Sequence, residues 1–89
     1  MKTMYKVDYT IWVGDQEKED RVLDHDTWMY DISNIDDART IALSVIDMYI
    51  ASFEDGDFDI RDCGNLIAAV NTKSPYIHDE GIRIDILTM

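Results

Sequence analysis

The stretch EDGDFDIRD, residues 54–62, places carboxylates at alternating positions around a glycine. Such a row can hold a metal ion, perform acid–base chemistry or display negative charge to a partner. The first three ligand positions of an EF-hand calcium loop are matched by three aspartates, Asp55, Asp57 and Asp59. Ile60, however, stands where that loop has its glycine, and Leu66 stands where it has its bidentate glutamate. We therefore expect no metal site here.

Catalytic residue types also occur, as Asp24-His25-Asp26, Cys63 and His78. Nucleophilic catalysis needs a base within hydrogen-bond reach of the nucleophile and a third group that orients the base. The spacing does not predict a contact between Cys63 and either histidine. A thiolate is stabilised by nearby cations, so the acidic neighbours of Cys63 disfavour one. The sequence also has no serine-nucleophile motif and no glycine-rich phosphate cradle. We therefore expect a protein that is not an enzyme and needs no cofactor.

Negative charge is the most unusual feature of the composition. Nineteen Asp and Glu residues against eight Lys and Arg residues give a net charge of −11. Two segments contain the whole excess: residues 15–37 hold nine acids against Lys18 and Arg21, and residues 54–62 hold five acids against Arg61. Such a surface attracts cationic partners through its summed field. Direct binding to nucleic acid is disfavoured, because proteins grip phosphates with Lys and Arg.

The chain length predicts one domain, residues 1–89, and the apolar fraction of 46% predicts that it folds. The single cysteine, Cys63, cannot form an internal disulfide, and no zinc-ligand spacing is present. Residues 1–4 run directly into a strand-like pattern instead of a signal peptide, and no apolar run approaches the roughly 20 residues of a membrane span. We expect a cytoplasmic protein without membrane contact.

Hydrophobic periodicity predicts a hairpin followed by a helix. Apolar and polar side chains alternate with period two over residues 5–13, and residues 21–24 form the returning strand. Residues 25–32 either continue that strand past a bulge or pack on the sheet as an irregular loop. Ser33 or Asn34 is the expected helix N-cap, with acids in the first turn. Apolar residues then recur at helical spacing up to Phe53, and we expect the helix to end at Gly56.

Three further strands are predicted, over residues 58–61, 66–70 and 82–86. The element order is β-β-α-β-β-β. The fold class is therefore α+β: an antiparallel or mixed sheet of four to five strands, with one main helix packed on one face.

The two acidic segments are the candidate binding surface. In an extended chain, carboxylates two residues apart lie on the same side at roughly 6.5–7 Å, so residues 55, 57 and 59 are expected to form a charged row. Trp12 and Trp28 are candidate apolar anchors, since tryptophan is enriched at binding hot spots. The predicted partner-binding residues are Trp12, Asp15, Glu17, Glu19, Asp20, Asp24, Asp26, Trp28, Glu54, Asp55, Asp57 and Asp59.

In its size, acidity and compact β-β-α-β pattern, the chain resembles small phage-encoded inhibitors of host defence, a class that includes anti-CRISPR proteins and DNA-mimic anti-restriction proteins. The resemblance includes no motif, so it assigns no residue. It implies a non-catalytic inhibitor that occupies a basic nucleic-acid-binding surface, such as that of a CRISPR effector complex, where Arg and Lys read the nucleic acid.

The alternative is a small structural or assembly module that forms a homodimer through a sheet edge or through an exposed aromatic face. The sequence leaves both the monomer and the homodimer open. It also leaves open whether the two acidic segments lie on the same side of the fold.

Overall fold

The computed structural model describes residues 3–15, 18–54, 56–72 and 80–89, with the backbone alone for residues 14–15 and 18–21. It confirms the α+β fold and the predicted order of elements. These are β1 (Tyr5–Asp15), β2 (Lys18–Ile32), α1 (Ile35–Ala51), β3 (Phe58–Asp62), β4 (Leu66–Asn71) and β5 (Glu80–Thr88).

The five strands form one sheet in the order β2-β1-β5-β4-β3, and every neighbouring pair is antiparallel. After the β1–β2 hairpin, α1 carries the chain across one face of the sheet to the opposite edge. There β3 and β4 form a second hairpin, and β5 closes the sheet by pairing with both β4 and β1. Among the described strands, β2 and β3 are therefore the two edges of the sheet.

The core lies between α1 and the face of the sheet that the helix covers. Along β1 the alternation is as predicted: Val7 is fully buried on the helix side, and Lys6 and Trp12 lie on the other. Each fully buried aliphatic side chain contributes about 1.5–3 kcal/mol to stability. The buried apolar residues are Val7, Ile32, Ala38, Ala42, Val45, Ile46, Ile67, Ala69, Ile82, Ile84 and Ile86.

The start of α1 is as predicted, but its end is not. Asn34 is the N-cap, and its side-chain oxygen accepts a hydrogen bond from the amide of Asp36 at 2.7 Å. The helix ends at Ala51, five residues before the expected Gly56, and Ser52 is the C-cap. Phe53 leaves the helical path because its ring packs edge-to-face against Tyr49 and Phe58, at 5.1 and 5.3 Å between ring centroids.

Strand β2 settles the interpretation of residues 25–32, which continue the strand past bulges. Ile11 pairs with Asp24 and Trp12 with Val22, so Leu23 is an extra residue. In the same way Val7 pairs with Met29 and Asp8 with Thr27, which makes Trp28 an extra residue. Asp31 adopts a left-handed backbone conformation (φ 60°) in a third irregular segment, a conformation that aspartate tolerates better than most residues. Bulges twist an edge strand and hinder its pairing with other chains.

Candidate partner-binding surface

The exposed surface of β2 combines negative charge with apolar side chains. All ten residues from 22 to 31, which we call the acidic edge, are exposed. They include Asp24, Asp26 and Asp31, and Asp36 and Asp37 follow in the first turn of α1. The sequence from 22 to 38 contains no Lys or Arg. The negative charge of this edge is therefore not balanced by neighbours along the chain.

Large apolar side chains also project from the acidic edge. Trp28 is 46% exposed and Tyr30 is 64% exposed, and Val22, Leu23 and Met29 are exposed as well. An edge strand with this much exposed apolar surface offers a place for a partner to dock. Two of its backbone amides already have side-chain partners, because Thr27 donates to Oδ1 of Asp26 and Asp31 donates to Sδ of Met89. The charges and bulges limit indiscriminate association, while the aromatic side chains offer a partner contact area.

A groove of about 270 Å³ separates the acidic edge from α1. The Tyr9 and Trp28 rings meet edge-to-face, with centroids 6.1 Å apart. The Tyr9 hydroxyl donates a hydrogen bond to Oδ2 of Asp24 at 2.9 Å. The bulge at Trp28 positions that indole beside Tyr9. The lining residues are Tyr9, Ile11, Asp24, Trp28, Val45, Met48, Tyr49, Ser52 and Ile82.

Both tyrosines of the groove keep their protons at neutral pH. The pKa of Tyr9 is raised, first by its hydrogen bond to Asp24, then by burial and by the charges of Asp24 and Asp26. Burial, with a smaller contribution from Glu80, raises the pKa of Tyr49 to about 12. The negative charge at the groove therefore comes from the carboxylates of Asp24 and Asp26.

The second acidic segment is partly neutralised by internal ion pairs, which hold two of its five acids. Asp59 Oδ2 lies 3.3 Å from Nε of Arg61, and Asp62 Oδ2 lies 2.6 Å from Nη2 of Arg39. Of the predicted row at residues 55, 57 and 59, residue 55 lies outside the described residues. Asp57 precedes β3, whereas Asp59 lies within that strand. Glu54 and Asp57 are exposed, with no ion pair to any described residue.

The two acidic segments lie at opposite edges of the sheet. Residues 22–31 belong to β2 and residues 58–62 to β3, which are four strand spacings apart, or about 19 Å. They do not form one continuous row of charge. A ligand that follows a single line of carboxylates therefore binds at one edge. Among the described residues, three acids of the acidic edge (Asp24, Asp26 and Asp31) have no ion pair, against two in the second segment (Glu54 and Asp57).

The predicted apolar anchors are separated as well. Trp12 lies on the sheet face that α1 does not cover, half-buried and close to the backbone of Gly81, its partner in β5. Trp28 lines the groove on the helix side. Of the other predicted residues, Asp15, Glu19 and Asp20 are described in backbone only, within the β1–β2 hairpin, and Glu17 lies outside the described residues.

Tyr9, Met48 and Tyr49 belong to the groove but were not among the predicted site residues. Their sequence signal is apolar periodicity, which places Tyr9 and Tyr49 on the core-facing side of their elements. Periodicity does not distinguish a core position from the wall of a groove beside the core. The pairing of β1 with the bulged β2 makes that distinction.

His25 and Cys63, the two candidate catalytic residues among those that the structure describes, lie far apart. His25 lies on the uncovered sheet face, where its Nδ1 is 2.8 Å from the Thr10 hydroxyl oxygen and 3.0 Å from the Tyr9 carbonyl oxygen. Cys63 is exposed in the turn after β3, at the other edge of the sheet. His78 lies outside the described residues. Within the described ranges, no group of three or more His, Cys, Asp or Glu side chains is placed to hold a metal ion.

No helix in the described part of the chain has the length and apolar character needed to cross a membrane. No protein-family model, curated protein or solved structure matches this chain.

Proposed function

We propose that this protein is a non-catalytic binding protein that occupies a basic surface of a nucleic-acid-handling partner. A CRISPR effector complex is the partner class that its resemblance to phage inhibitors favours, and the action would then be that of an anti-CRISPR protein in the host cytoplasm. The observation that carries the proposal is the acidic edge, with Asp24, Asp26 and Asp31 around the exposed Trp28 and Tyr30.

The charges and the aromatic side chains have different roles in this proposal. Unpaired carboxylates accelerate encounter with a basic partner and fix its orientation, and this effect weakens as salt screens them. Trp28 and Tyr30 supply apolar contact area, which sets how long the complex lasts. Mimicry of a long nucleic-acid strand has less support, because the two acidic segments lie at opposite sheet edges.

The test compares charge reversal at the two edges. Immobilised protein is incubated with lysate of bacteria that carry CRISPR and restriction systems, and captured complexes are identified at low and high salt. The purified partner is then tested for loss of target-DNA binding when the protein is added. The variant Asp24→Lys with Asp26→Lys should lose both capture and inhibition, because it turns an attractive contact into a repulsive one.

The matched control reverses two acids at the other edge, Asp57→Lys with Asp59→Lys, with the same change in net charge. It should retain binding if the acidic edge on β2 makes the contact. If both double variants bind equally weakly, the total charge matters and the acidic edge is not a specific site. Inhibition unaffected by either variant contradicts the proposal.

A homodimer is the second candidate, and the observation in its favour is the unpaired outer side of β2 with exposed Val22, Leu23 and Tyr30. Two copies that pair along this edge would bring like charges together at Asp24 and Asp26, which is unfavourable for cross-strand neighbours. Light scattering after size exclusion decides the question. A dimer that persists at high salt and is lost in Tyr30→Lys supports this candidate, whereas a monomer at every concentration excludes it.

A further inference from the structure

The groove between α1 and β2 has one carboxylate at the side of an otherwise apolar and aromatic cleft. We infer that it receives a single arginine side chain from the partner. This inference rests on the proposed function, and it names the group that the acidic edge recognises. The observations that carry it are the size of the groove, the hydrogen-bonding capacity of its walls and the charge of its rim.

The size of the groove fits one long side chain. Its volume of about 270 Å³ lies just below the range of about 300–1,000 Å³ typical of pockets for drug-sized molecules. Ile11, Val45 and Met48 supply apolar wall against which the three methylenes of an arginine stem can pack. The groove is open to solvent beside the exposed Trp28, so the side chain can enter from the surface.

Polar side-chain atoms in the groove can accept further hydrogen bonds from a ligand. The Tyr9 hydroxyl already donates to Asp24. The Ser52 hydroxyl already donates to the Tyr49 carbonyl oxygen at 2.6 Å. Oδ1 of Asp24 accepts no hydrogen bond from any described residue and is free for a ligand donor. A ligand that donates hydrogen bonds can therefore satisfy this carboxylate, and a cation satisfies it best.

The aromatic walls favour a guanidinium over an ammonium ion. Trp28, Tyr9 and Tyr49 present rings on the walls of the groove. A planar guanidinium stacks on such rings and donates several hydrogen bonds at once, whereas an ammonium ion is more strongly hydrated. Asp26, next to Asp24 on the same face of β2, adds negative charge at the rim. Charge, shape and donor pattern together select arginine.

The experiment uses the whole protein and small probes. Nα-acetyl-arginine amide is titrated into 15N-labelled protein, and amide and indole shifts are followed by NMR. Nα-acetyl-citrulline amide is the shape-matched neutral control, and Nα-acetyl-lysine amide is the charge-matched control. We expect saturable shifts at Trp28, Tyr9 and Ser52 with the arginine probe, weaker binding of the lysine probe and none of the citrulline probe.

Two variants locate the binding. Asp24→Asn should weaken the affinity for the arginine probe by at least about tenfold, the usual effect of losing a charge-assisted contact. Trp28→Ala should weaken this affinity as well. Asp57→Asn removes the same charge at the far edge and should leave the probe affinity unchanged. Equal binding of arginine and citrulline probes, or an affinity unchanged in Asp24→Asn, overturns the inference.

The probe titration can fail or succeed independently of the test of the proposed function, because the titration requires no partner. If a basic partner is captured through Asp24 and Asp26 but the arginine probe does not bind, the groove inference is wrong and the proposed function stands. If the probe binds as expected but the double reversal at the acidic edge leaves inhibition unaffected, the groove binds a guanidinium group but the proposed function is wrong. Binding of the lysine probe as tight as that of arginine overturns the assignment of a guanidinium.

Discussion

Arg39 and Asp62 join helix α1 to the end of β3 through a two-pronged ion pair. Arg39 Nη1 lies 2.9 Å from Asp62 Oδ1, and Arg39 Nη2 lies 2.6 Å from Asp62 Oδ2. Arg39 also donates to the carbonyl oxygen of Gly64, and Asp62 accepts from the amide of Gly64 at 2.9 Å. The fold thus uses one of its few cations to attach the far edge of the sheet, and Asp62 is withdrawn from any partner surface.

The Arg39–Asp62 pair predicts a loss of stability in acid. The hydrogen bonds that Asp62 accepts from Arg39 and from the Gly64 amide lower the pKa of Asp62 from 3.8 to about 2. A carboxyl whose pKa is lower in the folded state stabilises the fold above its unfolded pKa, and loses that contribution as pH falls toward the folded pKa. Urea unfolding of wild type and Asp62→Asn should therefore differ most near neutral pH, and the difference should shrink between about pH 4 and pH 2.

The matched control is Asp59→Asn, which removes a carboxylate from the more exposed pair with Arg61. Exposed pairs of this kind contribute little to stability. Asp59→Asn should therefore lie close to wild type at each pH. A difference between wild type and Asp62→Asn that is the same at pH 7 and pH 2 would contradict the role assigned to the Arg39–Asp62 pair.

Thr27 is predicted to stabilise the fold through a hydrogen bond to a buried carboxylate. Asp8 is 8% exposed although α1 does not cover its face of the sheet. The Thr27 hydroxyl donates to Oδ1 of Asp8 at 2.7 Å, and Nζ of Lys6 is 3.7 Å from Oδ2. Thr27→Val removes this donor and should lower the free energy of unfolding by about 1.5–3 kcal/mol, the range for a hydrogen bond to a charged group.

Thr27→Ser separates this hydrogen bond from strand propensity. Valine is a better strand former than serine, so propensity alone predicts that the valine variant is the more stable of the two. The hydrogen bond predicts the opposite order, because serine keeps the hydroxyl. Urea unfolding of both variants measures the order directly, and a valine variant more stable than the serine variant refutes the prediction.

Gly81 is predicted to be required for the packing of Trp12. A Cβ atom built on Gly81 lies 2.7 Å from Cη2 of Trp12 and closer still to the backbone carbonyl oxygen of Ala69. The backbone oxygen cannot move aside as a side chain can. Gly81→Ala should therefore destabilise the fold by about 1–3 kcal/mol, as overpacking does, and should shift the Trp12 fluorescence in a Trp28→Phe background.

Gly64→Ala is the control for this effect. Apart from the two chain neighbours, no atom of the described residues lies within 4 Å of a Cβ at Gly64. Its φ of +87° nevertheless strains an alanine there, at a cost of about 1–2 kcal/mol. That variant should lose some stability without changing the fluorescence of Trp12. Unchanged Trp12 fluorescence and stability in Gly81→Ala would show that the sheet relaxes at this contact.

Much of the fold follows from local sequence patterns. The alternation over residues 5–13 sets which side chains of β1 face the helix, because the side-chain period of a strand is two. Asn34, followed by acids and an apolar helical period, fixes where α1 begins. The end of α1 was not predictable in the same way, because Phe53 leaves the helix to pack against Phe58, a residue beyond the chain reversal.

The sequence by itself determined the two acidic segments and the excess of negative charge, and it named Trp12 and Trp28 as candidate anchors. The tertiary structure alone decided that these segments lie at opposite edges of the sheet, because strand order depends on long-range pairing that no local pattern encodes. It also decided which acids are unpaired, since Arg39 reaches Asp62 only after α1 has crossed the sheet. The groove beside Trp28 exists for the same reason, because it requires β1, β2 and α1 to be brought together by packing.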